Sequence, residues 1–251
     1  MSGHSKWATI KHKKGAADAA RGRVFSKLTR EITVAAKAGG GDSDSNPRLR
    51  AVILKAKEAN MPSDNITRAV KKGTGELPGV SYEETTYEAY GPGGVAILIE
   101  VLTDNKNRTA AEIRSVITKK GGSMAGAGSV SYLFNKKGYI TVPKSAVDEE
   151  KLFTLATDAG AEDFNAESEE YEITVPTASF EAVKRALEQN KIKPSVCEVT
   201  SLPNNTIPIS GEKDASAVVG LVEALEEHDD VQNVYSNFDI SDEILSKISG
   251  S

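Results

Sequence analysis

The stretch YITVPKSAVDEEKLFTLATDAGAEDFNAESEEYEITVPTASFEAVKRALEQNKIKPSVCEVTS, residues 139–201, decides the architecture of the chain. Short runs with a two-residue apolar period, at Tyr139–Val142, Ala161–Ala166, Tyr171–Val175 and Ser195–Ser201, predict strands. Between them, Ala146–Ala159 and Ser179–Asn190 carry the three-to-four-residue period of amphipathic helices. The order is β-α-β-β-α-β, that of a ferredoxin-like unit.

The same alternation continues on both sides. Upstream, Thr85–Tyr90 and Val95–Thr103 predict a hairpin around Gly91-Pro-Gly-Gly94, followed by a helix at Asn107–Lys120 and a strand at Ser129–Phe134. Downstream, Asp214–His228 predicts a helix and Val231–Phe238 a strand. Each flank is an incomplete α/β unit, and together they make one, so the ferredoxin-like unit reads as an insertion. Nearer the N-terminus the period is helical throughout. A helix from Asp18 to Ala38, ended by Gly39-Gly40-Gly41, places Val24, Phe25, Leu28, Ile32, Ala35 and Ala36 on one side. Arg23, Lys27, Arg30 and Lys37 form a cationic ridge on the other side. Asn46-Pro47 is an N-cap followed by proline at the first helical position, and Leu49, Val52, Ile53 and Ala56 form the stripe of that second helix. A third helix opens at Met61-Pro62-Ser63-Asp64, buries Ile66, Ala69 and Val70, and is expected to stop at Gly73.

The expected fold class is therefore α+β: an N-terminal three-helix domain, then two α/β domains, the third a β-α-β-β-α-β unit inserted in the second. The expected boundaries are 1–78 for the helical domain, 79–135 plus 204–240 for the discontinuous α/β domain, 136–203 for the insert, and 241–251 for a C-terminal tail.

The net charge of −5 conceals a strong asymmetry. Residues 1–75 hold sixteen Lys or Arg against six Asp or Glu, a net +10, while residues 76–251 hold fifteen against thirty, a net −15. Within residues 1–30 the count is eight against one. Such segregation points to a polyanionic partner for one end of the molecule only. No run approaches the roughly 18 apolar residues of a membrane span, so no membrane partner is expected. A basic, acid-poor N-terminus also reads as an organelle transit peptide, but here it runs without a break into a patterned helical domain. Cys197 is the single cysteine, which excludes an intrachain disulfide and suits a reducing, cytoplasmic setting.

Gly3-His-Ser-Lys-Trp-Ala-Thr-Ile-Lys-His-Lys-Lys14 and Arg21-Gly-Arg-Val-Phe-Ser-Lys-Leu-Thr-Arg-Glu-Ile32 resemble the opening of the YebC/PmpR family of transcriptional regulators. Asn46-Pro-Arg-Leu-Arg50, Asn60-Met-Pro62, Tyr90-Gly-Pro-Gly-Gly94, Asp104-Asn-Lys-Asn-Arg-Thr109 and Asp229-Asp-Val-Gln-Asn-Val-Tyr235 extend the resemblance over nearly the whole chain. One departure is Asp42-Ser43, where the family usually has Asp-Pro. The resemblance implies a three-domain fold and cytoplasmic nucleic-acid binding in bacteria, with a mitochondrial branch that activates translation. It leaves two targets open, promoter DNA and the translating ribosome.

The residue chemistry agrees with a phosphate-binding protein. Lys6, Lys11, Lys13 and Lys14 would neutralise phosphates from an arm, with Arg21, Arg23, Lys27, Arg30, Arg48 and Arg50 adding charge from the helices. Trp7 and His12 lie among the arm cations, where rings stack on unpaired bases. No recognition-helix pattern stands out, so structured RNA, ribosomal RNA included, fits at least as well as duplex DNA. Ribosomal proteins are a further candidate contact, and the expected assembly is a monomer or weak oligomer.

Alternative chemistries find little support. Gly91-Pro-Gly-Gly94 lacks the Lys-Ser/Thr of a phosphate-binding P-loop and reads as a hairpin turn. Gly121–Ser129 reads as a mobile glycine-rich connection, and Asn107 as the cap of its helix. His228 with Asp229 and Asp230 has no paired nucleophile, and the acidic run Glu162 to Glu170 reads as a solvated edge. No enzyme activity, cofactor or metal is expected.

Overall fold

In the computed structural model, residues 18–168 and 170–249 are described. Helix α1 spans Asp18–Gly39, α2 Pro47–Glu58 and α3 Ser63–Thr74. Their shared core buries Leu28, Ile32, Ala35 and Ala36 of α1 against Leu49, Val52 and Ala56 of α2 and Ile66 and Ala69 of α3. Ile32 and Leu49 are fully enclosed, and each contributes roughly 1.5–3 kcal/mol of apolar burial. Val24, expected on the apolar face, is instead 41% exposed, one turn before the core begins. Asn46 caps α2 by accepting from Leu49 N at 3.0 Å, and its amide also donates to the carbonyls of Ala35 and Gly40. One buried side chain thus closes the end of α1 and the start of α2.

Helix α3 does not stop at Gly73. It continues to Thr74 and ends on Gly75, whose φ of +83° is the left-handed cap conformation. Gly73 serves packing: a Cβ there would stand 2.4 Å from the Thr33 carbonyl oxygen and 2.7 Å from Ala36 Cβ. Its missing side chain lets α3 lie directly on α1.

The second unit is built on strands β1 (Glu83–Tyr90) and β2 (Ala96–Thr103), paired antiparallel from Glu83↔Thr103 to Tyr90↔Ala96. Helix α4 (Lys106–Lys119) follows, capped by Asn105 and not by Asn107: the Asn105 side chain accepts from Arg108 N. The next strand differs from expectation. Ser123–Met124 forms a two-residue β3 on β1, Ser131–Leu133 is a 3₁₀ turn, and the strand proper, β4, begins at Phe134 and runs to Pro143. The cause is Glu88. Its carboxylate, 7% exposed, accepts from the backbone of Gly128 (2.7 Å), Val130 (2.6 Å) and Ser131 (3.0 Å), drawing these N–H groups away from any ladder. The glycine-rich connection is therefore pinned at its far end by a charge.

Strand β4 leads into the inserted unit: α5 (Glu149–Asp158), β5 (Asp163–Asn165), β6 (Glu170–Pro176), α6 (Phe180–Gln189) and β7 (Val196–Pro203). The sheet order β5-β6-β4-β7, antiparallel throughout, is the ferredoxin-like arrangement. Leu152 and Ala156 of α5 and Val183 and Leu187 of α6 pack on Ile140, Val142, Ile173 and Val175 of its sheet.

The chain then returns to complete the second unit with β8 (Ile207–Ile209), α7 (Glu212–Glu226), β9 (Val231–Ser236), β10 (Phe238–Ile240) and α8 (Asp242–Ser249). Strand β9 pairs with β2, giving the order β3-β1-β2-β9. Ile97, Ile99, Ile113, Ile117, Val218, Leu221 and Leu225 fill the layer between this sheet and helices α4 and α7. The single strand expected at Val231–Phe238 breaks at Asn237, whose side chain accepts from Ala96 N at 2.8 Å, and β10 departs to pair in parallel with β8. Residues 241–251 were expected as a tail. Instead α8 forms there and buries Leu245 in the second unit's core, because Ile244, Leu245 and Ile248 give it an apolar face. No helix among the described residues is long and apolar enough to cross a membrane.

Candidate nucleic-acid interface

Of the residues expected to grip a polyanion, Lys6, Trp7, Lys11, His12, Lys13 and Lys14 lie outside the described residues. The cationic ridge of α1 is described, and it is already in contact with an acidic segment of the same chain. Helix α7 ends at Glu226, and Glu227-His228-Asp229-Asp230 follow it. Lys27 Nζ donates to the Glu226 carbonyl at 2.7 Å, where the helix dipole gives the last carbonyls partial negative charge. Arg23 faces Glu227 at 3.8 Å. Arg30 donates to the Asp229 carbonyl, stands 3.3 Å from Asp230 Oδ1, and lies over the Tyr82 ring at 5.7 Å. Lys37 reaches Ser81 Oγ at 2.7 Å. The ridge thus docks the helical unit onto the second one.

Asp230 is the centre of that junction. Its side chain is 4% exposed. Oδ2 accepts from Thr109 Oγ1 at 2.6 Å, Arg108 Nη2 at 2.8 Å and Thr103 Oγ1 at 3.2 Å, while Oδ1 faces Arg30. Burial alone would raise its pKa. The Thr109 and Arg108 hydrogen bonds, the Arg30 charge and the Thr103 hydroxyl outweigh that and hold it below the usual carboxylate range. Arg108 also pairs with Asp104 at 2.8 Å, its partner one helical turn away.

Glu112, His228 and Asp230 bring oxygen and nitrogen donors within 4.8 Å of one another. These donors are committed elsewhere. Both Asp230 oxygens face arginines, His228 Nδ1 accepts the Asp230 N–H at 3.1 Å, and His228 Nε2 meets Glu112 Oε2 at 2.9 Å. With both ring nitrogens engaged in this way, His228 fastens the loop after α7 to α4. Two cationic arginines against the same carboxylate do not fit a metal centre.

The remaining expected cations divide in two. Arg48 pairs with Glu84 across the interface, on the rim of a cleft of about 520 Å³ between all three units. In that cleft burial raises the pKa of Glu31, against the lowering charges of Lys55 and Arg48. Arg50 is exposed and donates to the carbonyls of Ser43 and Asp44, and Arg21 is exposed at the start of α1. Another group of cations lies on the neighbouring helices: Lys57 on α2 and Arg68, Lys71 and Lys72 on α3. All four are exposed and none forms an ion pair among the described residues. On α3 the three fall within about 100° of arc opposite Ile66, Ala69 and Gly73, so they project outward together.

The residues whose roles sequence reasoning missed are Glu88, Thr103 and Tyr82, together with the bond that Thr109 makes to Asp230. Each acts through a partner remote in sequence: Thr109 and Asp230 lie 121 residues apart. The segments Asp104–Thr109 and Asp229–Tyr235 already stood out, yet nothing in either shows that they meet.

Comparison with known proteins gives a consistent picture. A model of the TACO1/YebC protein N-terminal domain matches residues 5–76, and a model of the TACO1/YebC second and third domain matches residues 82–238. A protein of Geobacter sulfurreducens called a probable transcriptional regulatory protein is 57% identical over 248 residues, covering 99% of this chain and 100% of its own length. One with the same description from Carboxydothermus hydrogenoformans is 55% identical over 245 residues, covering 96% and 100%. A crystal structure of a conserved hypothetical protein from Aquifex aeolicus superposes with a TM-score of 0.84 at 49% identity, covering 96% of this chain and 99% of that one. The chain belongs to the TACO1/YebC family.

Proposed function

We propose that the protein is a non-enzymatic, cytoplasmic regulator of gene expression that binds nucleic acid through phosphate contacts made by its basic N-terminal part. The observation that carries this reading is the outward face of α2 and α3. Lys57, Arg68, Lys71 and Lys72 are exposed and form no ion pair among the described residues, on the part with net charge +10, while the rest of the chain carries −15. Cations that form no such pair beside so many carboxylates suit an external polyanion, and the arm cations Lys6, Lys11, Lys13 and Lys14 would add to them. The relatives' description as probable transcriptional regulatory proteins agrees. A catalytic role finds no support in the chemistry: burial pushes the Cys197 thiol up to about 11, far from a nucleophile's range, and His228 is tied to Glu112 and a backbone N–H.

A second reading, structured RNA of the ribosomal kind in place of duplex DNA, is favoured by one feature. Lys57, Lys71 and Lys72 sit in the last turns of α2 and α3, not at a helix N-terminus that could enter a major groove. Such an array contacts phosphates without reading bases. The test is binding of the purified protein to duplex promoter DNA and to ribosomes across a salt series. Both should weaken by roughly 10³ between 50 and 200 mM salt if six or more phosphates are contacted. Survival of one duplex sequence near physiological salt assigns the protein to promoters. Survival of the ribosome complex assigns it to translation, and loss of both at low salt removes the nucleic-acid reading.

A further inference from the structure

The inserted unit carries an aromatic surface that its own core does not use. On α5, Leu152 is buried in that core, whereas the next residue, Phe153, is 50% exposed. Phe153 meets Phe164 edge to face, with centroids 5.5 Å apart and planes at 84°, and Phe164 stacks on Tyr171 at 5.6 Å. Phe153, Phe164 and Ala166 floor an open groove of about 510 Å³, whose rim is Asp148, Glu149 and Glu150, with Tyr171 buried behind Phe164. Among the described residues, no lysine or arginine lines it. Lys151, the cation of α5, lies about 160° around the helix from Phe153.

Part of the acidic rim has a structural reason, since Asp148 caps α5 by accepting from Glu150 N and Lys151 N. Glu149 and Glu150 favour the same positive helix end. Even so, both are exposed and neither forms an ion pair among the described residues. Their field is felt at the rings: burial raises the Tyr171 pKa, and the charges of Glu149 and Asp148 raise it further. The aromatic system already accepts one cation, Lys144, whose ammonium lies 5.8 Å from the Tyr171 ring while donating to the Ala166 carbonyl at 2.7 Å.

We propose that this groove is a docking site for a basic peptide segment of a partner protein, with an arginine side chain seated on Phe153 and Phe164 and paired with Glu149 and Glu150. Charge complementarity selects the occupant. A ring face attracts a guanidinium, carboxylates pair with it in a fork, and a groove of this size admits one long side chain with its flanking backbone. The same carboxylates would repel a nucleic-acid backbone, so base stacking on these rings is the competing class. The site lies on the acidic part of the molecule, remote in sequence from the cations of α2 and α3.

The experiment is fluorescence anisotropy of a labelled Arg-Gly repeat peptide with the full-length protein, alongside Phe153→Ala and the pair Glu149→Gln, Glu150→Gln. Labelled oligouridylate is the second probe. Both substitution sites are exposed, so circular dichroism should be unchanged. The expected result is saturable peptide binding that weakens roughly two- to fivefold in each variant, the range for an exposed cation–ring or charge contact. An affinity that either variant leaves unchanged, or no peptide binding at all, overturns the proposal. So does oligouridylate binding that disappears with Phe153, which would make the groove a base-stacking platform.

Discussion

Asp230→Ala is expected to lower the thermal unfolding midpoint by roughly 5–15 °C, the equivalent of about 2–4 kcal/mol in a chain of this size. The substitution removes a carboxylate that faces Arg30 of α1 and Arg108 of α4 together, and leaves both cations beside a nearly enclosed space. The loss should fall below the upper range for broken buried pairs, for two reasons. Arg108 is 44% exposed and regains water, and the Thr103 and Thr109 hydroxyls remain bonded to each other at 2.7 Å. The pH dependence fixes the sign. Asp230 has a lowered pKa in the folded protein, so its contribution is complete above the unfolded value and disappears as pH falls through the folded one. The gap between wild type and variant should therefore be constant near neutrality and close below about pH 4. A gap that persists unchanged in acid would place the stabilisation in packing instead of charge.

Glu88→Ala should have an effect of similar size and a different character. Three backbone N–H groups, one of them on buried Val130, lose their acceptor. An unsatisfied buried donor costs about 1–3 kcal/mol, and the more exposed ones regain water, so a total of about 1–3 kcal/mol is expected. The local consequence is more diagnostic than the global one. Amide hydrogen exchange at Gly128, Val130 and Ser131 should accelerate by one to two orders of magnitude, roughly what 1.4–2.8 kcal/mol of lost protection gives, while exchange in the inserted unit stays unchanged. Burial would raise the Glu88 pKa, but the N–H groups of Val130, Gly128 and Ser131 bring it below its ordinary value. Wild type should therefore loosen this loop in acid, and the variant should not respond. Unchanged exchange in Glu88→Ala would mean that the loop is held by something else.

Much of the architecture is legible from local patterns, because each unit is built on its own periodicity. The helix stripes of Leu28 to Ala36, Leu49 to Ala56 and Ile66 to Ala69, and the β-α-β-β-α-β order of residues 139–201, follow from side chains within a few residues of one another. Where expectation failed, a distant partner had intervened. Gly73 reads as a stop because glycine usually ends helices, but the close approach of Thr33 and Ala36 is what requires it. Ser129–Phe134 has the composition of a strand, but Glu88, some forty residues earlier, draws its N–H groups into a turn. Val231–Phe238 breaks because Asn237 bonds to Ala96 across the sheet.

The candidate interface divides along the same line. That α1 would carry Arg23, Lys27 and Arg30 on one ridge is a consequence of helical geometry alone. That the ridge meets residues 226–230 depends on how two units dock, which no local pattern encodes. The ridge had been expected to face nucleic acid; in the folded chain it faces the carbonyls and carboxylates at the end of α7. Among the described residues, Lys57 on α2 and Arg68, Lys71 and Lys72 on α3 are exposed and form no ion pair, and these are the cations proposed to meet a partner. Their similar spacing on a helix gave no sign that they, and not the ridge, would form no ion pair among the described residues.

The most direct test of the account is the salt dependence of nucleic-acid affinity in two charge variants of the full chain. One carries Lys57, Arg68, Lys71 and Lys72 replaced by Gln, and the other carries Arg23 and Lys27 replaced by Gln. If the outward face binds the phosphates, the first variant should hold duplex more weakly, with the slope of log affinity against log salt reduced by roughly 0.9 for each phosphate no longer neutralised. The second should keep nearly the wild-type slope, because its cations are engaged within the protein. A wild-type slope in the first variant, with the weakening seen in the second, would contradict the account: the ridge would then be the nucleic-acid surface, and its docking onto residues 226–230 would have to open on binding.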